Sequence, residues 1–257
     1  MRNVKLTIEY DGTCFHGWQV QNKNHRTVHG ELQRALFQIF KKEIQLIGSG
    51  RTDSGVHARG QVANFKADSS MTPPEIQKAI NAVLPADIVI LATQDVPETF
   101  HAQYSAKSKT YRYTFLNRET RCALMRDYCH FLSRPLNLPL MRNEAQALIG
   151  RKDFKSFQAA DPAKSNDEND GSTMRTIKRI EIKKKGDLIQ IDIEANGFLY
   201  KMVRNIVGTL LEIASGKLSH GSIPKILKAK DRKAAGQTAP AKGLCLMEVN
   251  YERSSYP

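Results

Sequence analysis

Cysteine is scarce in this 257-residue chain and carries no pattern. Cys14, Cys122, Cys129 and Cys245 stand far apart, with no Cys-x-x-Cys pair and no zinc-ribbon spacing. Four are too few for a disulfide scaffold, so reduced thiols in a cytosol are expected. Long apolar runs are missing as well. The longest aliphatic run, IVILA at 88–92, is far too short to cross a bilayer. The opening MRNVKLTIEY alternates polar and apolar residues instead of offering the apolar stretch of a secretory signal. The expectation is a soluble cytoplasmic protein with no membrane association. Acidic residues fall short of basic ones, 26 against 39, leaving a formal charge of +13. Such an excess attracts polyanions, and nucleic acid is the first of these to consider for a soluble protein.

Familiar phosphate and metal patterns are absent too. Gly48-x-Gly50 follows a strand pattern, but Asp53 stands where a dinucleotide fingerprint needs its third glycine. The following GQVANF reads as a strand, not as the helix whose N-terminus would hold a pyrophosphate. No Gly-Lys-Ser/Thr occurs. His57, His16 and Cys14 have no spacing that would aim them at one ion, so no metal is expected. The polar stretch AADPAKSNDENDGST at 159–173 lacks the spacing and closing glutamate of a calcium loop. It reads as a long mobile insertion.

What is present is a repeated order of elements. VKLTIEY puts Val4, Leu6, Ile8 and Tyr10 on one face of a strand. TVHGELQRALFQIFKK carries a helical stripe of Val28, Leu32, Leu36 and Ile39, joined by Ala35 and Phe40, with Thr27 as N-cap. IQLIGS and GQVANFK read as strands. TPPE at 72–75 is a capping box opening a helix through Leu84, and DIVILATQDV is a strand. The second half repeats this order. KTYRYTF is a strand, LPLMRNEAQALIG a helix, and TIKRIEIKK with DLIQIDIEA a hairpin turned at Lys185-Gly186-Asp187. FLYKMVRNIVGTLLEIASG is a helix closed by Gly216, followed by a short helix near 221–229 and the strand GLCLMEVNY. Two β-α-β-β-α-β units predict an α+β protein of two ferredoxin-like, RRM-like halves, 1–104 and 105–257. Their sheets are expected to join into one extended mixed antiparallel sheet with helices on one face.

One loop does not fit a purely structural account. GSGRTDSGVHARGQ, Gly48 to Gln61, sets a lone carboxylate, Asp53, among Arg51, His57 and Arg59. Taken alone, Asp53 is either a backbone-capping turn residue or a reactive acid. Its neighbours in the chain favour the second. GRTDSGVHARGQV resembles the active-site motif of the tRNA pseudouridine synthase A family. EYDGTCFHGWQVQ at 9–21, KTYRYTF at 109–115, GFLYKMVRNIVGTLLEIASG at 197–216 and TAPAKGLCLMEVNY at 238–251 resemble further blocks of that family, in order. Ser54 departs from the family's usual alanine, a change a small side chain tolerates. The 159–173 stretch has no counterpart among those blocks, so the resemblance implies nothing about it.

The resemblance implies conversion of uridine to pseudouridine at positions 38, 39 and 40 of the tRNA anticodon stem-loop. It implies the pseudouridine synthase fold, a homodimer, and neither cofactor nor metal. It makes Asp53 the catalytic carboxylate and Arg204 its ion-pair partner. Tyr111 becomes the residue against the target base, Leu244 an apolar wall, and Arg51 the residue that holds displaced nucleotides. His57 lies close enough in sequence to touch the flipped nucleotide, although loop scaffolding suits it better. The chemistry is consistent with those residue types. An ionised carboxylate can form a sugar adduct or stabilise an oxocarbenium-like state, attack carbon-6 of the base, or remove a sugar proton. Burial alone would protonate it, and a nearby guanidinium opposes that. A paired base must leave its stack to be attacked, which costs a few kcal/mol. Stacking on an aromatic ring returns about 1–3 kcal/mol. Tyr113 and Phe115, on the strand face of Tyr111, are expected to be core. Arg59, Lys107, Lys109, Arg112 and Lys201 are candidates for phosphate contacts. A doubled RRM-like RNA-binding protein without chemistry, or the same isomerase acting at other RNA positions, would share the charge and the fold.

Overall fold

The computed structural model describes residues 1–21, 25–160 and 172–252. The insertion expected at 159–173 therefore lies mostly outside the described residues. The chain forms two compact units, Met1–Lys109 with Cys245–Pro257, and Thr110–Leu244.

In the first unit, β1 (Arg2–Tyr10) is the central strand. Val4, Leu6, Ile8 and Tyr10 are buried, as their alternation predicts. It is flanked antiparallel by β3 (His57–Ala67) and β4 (Ile88–Val96), with Leu6 opposite Ala63 and Thr93. The short β2 (Leu46–Gly48) adds to β3 at Leu46↔Phe65. Helix α1 (Val28–Phe40) buries Val28, Leu32, Ala35 and Leu36, and Thr27 Oγ1 accepts the Gly30 amide as N-cap. Helix α2 (Pro73–Val83) opens on the expected box, in which the Glu75 carboxylate accepts both the amide and the hydroxyl of Thr72. Those two bonds hold the Glu75 carboxyl below its usual range. The order β1-α1-β2-β3-α2-β4 matches the sequence expectation.

The second unit takes up strand β5 (Ala106–Asn117) from Thr110 onward, and contains β6 (His130–Leu132), α3 (Leu138–Gln146) and β7 (Gly150–Asp153). It continues with β8 (Met174–Lys185), β9 (Leu188–Ala195), α4 (Met202–Ala214) and α5 (Ser222–Ala229). The strand order is β5-β9-β8-β7, and β6 pairs parallel with β5. Gly186, at φ 58°, turns the β8–β9 hairpin where expected. In α4, Ile206, Val207, Leu210 and Ile213 are fully buried, each contributing about 1.5–3 kcal/mol of hydrophobic stabilisation.

Several features differ from the sequence expectation, beginning with the short strands β6 and β7, which it does not contain. The helix expected to run to Gly150 stops at Gln146, where the amides of Ala147, Leu148 and Ile149 bond carbonyls only three residues back, and Gly150, at φ 98°, opens β7. The helix expected from Phe198 begins only at Met202, because Lys201 sits at φ 56° in the left-handed region. The closing strand, β10 (Leu244–Tyr251), was expected in the second half, yet from Cys245 onward it belongs to the first unit. There it pairs parallel with the start of β3, Cys245↔His57 and Leu246↔Ala58.

Candidate functional site

Within the first unit, the Gly48–Gln61 loop is tied down on both flanks while its acid stays partly exposed. Ser49 donates its amide to Val62 O at 2.7 Å and its hydroxyl to Gln61 Oε1 at 2.7 Å. Gln61 Nε2 donates to Gly50 O at 3.1 Å, and both Ser49 and Gln61 are fully buried. On the far side, Thr52 O accepts the Trp18 amide and Thr52 Oγ1 lies 2.7 Å from the Tyr10 hydroxyl. Burial pushes the Tyr10 phenol well up, so this pair stays a neutral hydrogen bond. Val56 N–H donates to Asp53 O and closes the turn, and Ser54 Oγ reaches Phe15 O at 3.2 Å. Ser54, the departure from the family's alanine, therefore fits as a further tether. Gly48 is obligatory, since a Cβ there would lie 2.7 Å from the Trp18 ring.

The sequence-predicted residues of this unit sit on that frame as follows. Arg51 is exposed at the head of the turn and Asp53 is partly exposed within it. His57 is buried. Its Nδ1 accepts the Gly12 amide at 3.0 Å and also lies 3.1 Å from Asp11 Oδ1. One ring nitrogen cannot accept and donate at once. The Gly12 bond is the better founded, because Asp11 Oδ1 already takes the amide and hydroxyl of Thr13. His57 thus braces the 9–17 segment against the loop.

In the second unit, Tyr111 is 8% exposed, with its ring edge-on to Phe198 at 5.2 Å. Tyr113 and Phe115 are fully buried, the core residues expected. Tyr113 is also a post for the rest of this unit's candidates. Its hydroxyl donates to Pro240 O at 2.7 Å, and its ring leaves no room for a Cβ at Gly243, beside Leu244. Leu244 is buried. Arg204, near the start of α4, donates Nε to Ala239 O at 2.8 Å. Its positive charge opposes the burial that drives the Tyr113 phenol up. Among the described residues no group of His, Cys, Asp or Glu could hold a metal ion, and no helix is long and apolar enough to cross a membrane.

Comparison with known proteins fits this arrangement. A family model described as tRNA pseudouridine synthase matches residues 6–105 and 145–252. The chain belongs to the tRNA pseudouridine synthase family. A relative named tRNA pseudouridine synthase A from Thermoanaerobacter sp. (strain X514) is 48% identical over 98% of this chain and 100% of its own length. Proteins of the same name from Ruminiclostridium cellulolyticum and Geobacillus sp. (strain WCH70) are 45% and 44% identical over 98% of this chain and 100% and 99% of theirs. Asp53, Arg204 and Leu244 fall inside the spans matched by the tRNA pseudouridine synthase model, and Tyr111 falls between them.

Two cations that the sequence offers for tRNA phosphates are engaged inside this synthase-family chain. Arg112 forms a bidentate pair with Asp192 at 2.7 and 2.8 Å. Lys109 extends Nζ to Ser49 O at 2.5 Å, beneath Gly50, where a Cβ would lie 2.6 Å from that nitrogen. Burial alone pushes the Lys109 ammonium down to about 8. A depressed lysine pKa means that the unfolded chain binds more protons between pH 8 and 10.5, so stability rises with pH through that window. The gain between pH 7.5 and 9.5 is roughly 2 kcal/mol. Urea denaturation at those two pH values is expected to show the rise in the parent and its loss in Lys109→Met. The upper limit stays below the tyrosine range, because the raised phenols of Tyr10, Tyr113 and Tyr251 contribute with the opposite sign above pH 10. Equal rises in parent and variant would show that Lys109 is not enclosed. Sequence reasoning missed this lysine's role because its partner carbonyl is 60 residues away.

Proposed function

We propose that this chain isomerises uridine to pseudouridine at positions 38, 39 and 40 of the tRNA anticodon stem-loop, in the cytoplasm, as a homodimer without cofactor or metal. The observation that carries the reading is a partly exposed carboxylate, Asp53, on a loop whose flanking residues are bonded in place from both sides. Membership of the tRNA pseudouridine synthase family supports the reaction, and the motif resemblance supports the positions.

The reaction breaks the bond between N1 of uracil and C1′ of the ribose, turns the base, and joins C5 to C1′. The C5 proton leaves and N1 ends protonated, so atoms and electrons balance without a redox partner. Asp53 acts as the carboxylate, by attack at C1′, by attack at C6, or by removing a sugar proton. All three routes need it ionised, and Arg204 is the guanidinium assigned to keep it so. Tyr111 stacks on the extruded base, Leu244 walls the pocket, Arg51 holds displaced nucleotides, and His57 steadies the loop. The +13 charge draws the tRNA phosphates.

Pseudouridine mapping of tRNA from cells lacking the protein tests the reading. Positions 38–40 are expected to lose the modification and to regain it on complementation. Retention at 38–40 with loss elsewhere would move the activity to other RNA sites, and an unchanged map would leave only RNA binding. Sedimentation equilibrium is expected to give about twice the 28.9 kDa chain mass.

A further inference from the structure

Residues 236–240 run along α4 as a strap, and each of them is fastened. Gly236 N–H donates to Thr209 Oγ1 and Gln237 N–H to Glu212 Oε1, both at 2.9 Å. Thr238 Oγ1 donates to Asn205 Oδ1 at 2.6 Å. Ala239 and Arg204 are doubly joined: the Ala239 amide donates to Arg204 O at 3.1 Å, and Arg204 Nε donates to Ala239 O at 2.8 Å. Pro240 O accepts the Tyr113 hydroxyl. The helix residues involved recur at i, i+1, i+5 and i+8, one face of α4, and Gly208 supplies the gap between them.

A cross-brace holds the strap at its middle. Arg232 Nη2 donates to both Asn205 Oδ1 and Thr238 Oγ1 at 3.1 Å. Asn205 is fully buried and donates Nδ2 to Phe157 O at 2.8 Å, so its amide is satisfied on both sides. Asn205, fully buried at the centre, fixes one arrangement of this network, because a slip of the partly exposed Thr238 and Arg232 would leave its Oδ1 unpaired in a low-dielectric interior. The arrangement fixed here puts the Ala239 carbonyl under Arg204 Nε. Pinning Nε fixes the plane that contains both Nη groups, which is the plane a guanidinium uses to meet a carboxylate.

We propose that Thr238, braced by Asn205 and Arg232, is a positioning residue for the isomerisation: it holds the strap whose Ala239 carbonyl aims the Arg204 guanidinium. This rests on the reading of Arg204 as the group that keeps the catalytic carboxylate ionised.

Thr238→Val removes the hydroxyl and keeps the shape; Thr238→Ser keeps the hydroxyl. With an anticodon stem-loop substrate, Thr238→Val is expected to lower the single-turnover rate about tenfold or more while leaving the substrate Kd within about twofold. Thr238→Ser is expected to stay near the parent. In an Arg204→Lys background, which has no Nε donor, Thr238→Val is expected to cost less than about twofold. A parental rate for Thr238→Val overturns the proposal, and so does an undiminished loss in the Arg204→Lys background. A parental rate for Arg204→Lys itself would instead sink the role given to Arg204. A readout independent of activity is exchange of the Arg204 Nε–H by NMR. It is expected to be protected in the parent and in Thr238→Ser and to exchange faster in Thr238→Val; equal protection in all three also overturns the proposal. Arg232→Gln, on the outer side of the same brace, carries the same expectation should Thr238→Val fold poorly.

Discussion

Asp53→Ala is expected to bind tRNA within a few fold of the parent and to release no detectable pseudouridine, a loss on the order of 10⁴-fold or more. Affinity survives because it comes from the phosphate backbone meeting a basic surface, and one carboxylate in a chain of +13 opposes that attraction rather than supplying it. The loop survives because its fastening runs through Ser49, Thr52, Val56 and Gln61, and the Asp53 atom that closes the turn is its main-chain oxygen. Only the chemistry goes. Asp53→Asn is expected to behave alike, since it keeps the size and discards the charge. The pair of measurements is tRNA affinity at fixed ionic strength and product formation on the same preparation. Product from either variant would remove Asp53 from the mechanism. Lost affinity along with lost product would make the residue structural.

Gly208→Ala is expected to be the most damaging single-methyl change in the second unit. A Cβ at Gly208 would stand 1.7 Å from Gln237 O and 2.9 Å from Gln237 C, both main-chain atoms that cannot swing aside. Alanine's better helix propensity returns about 1 kcal/mol, whereas forced overpacking typically costs 1–3 kcal/mol and more when backbone must move. The net is a lower melting temperature, by about 3–10 °C. Turnover is expected to fall as well, because the segment pushed away carries the carbonyl that holds Arg204 Nε. Gly197→Ala is the control: the new methyl group would meet only the Arg175 side chain, no nearer than 3.7 Å. Thermal denaturation of the two variants side by side decides the matter, and equal melting temperatures would refute the steric argument.

Local pattern carried much of the architecture. The period of two in Val4, Leu6, Ile8 and Tyr10, and the stripe from Val28 to Leu36, correspond to faces that are buried. The box at Thr72 and the turn at Gly186 needed only neighbours in sequence, so they too were legible. The loop around Asp53 was legible because its residue types are crowded into one short stretch. What escaped was pairing across distance. Lys109 with Ser49, Arg112 with Asp192 and Tyr113 with Pro240 span 60, 80 and 127 residues, and no periodicity announces them. Strands of three and four residues, His130–Leu132 and Gly150–Asp153, are too short to show alternation. The late start of α4 turns on one left-handed lysine, a conformation that side-chain chemistry does not advertise.

Because the first unit takes its last strand from residues beyond 244, its sheet cannot be finished while the ribosome is still making the middle of the chain. Until then the His57 end of β3 presents unsatisfied amides and carbonyls next to the acid loop, a template for any stray extended segment. Synthesis from the N-terminus normally lets the first-made domain settle first. Here maturation of the acid loop's scaffold waits until the residues beyond 244 have been made, and a message cut short before codon 245 would leave that edge without its closing partner.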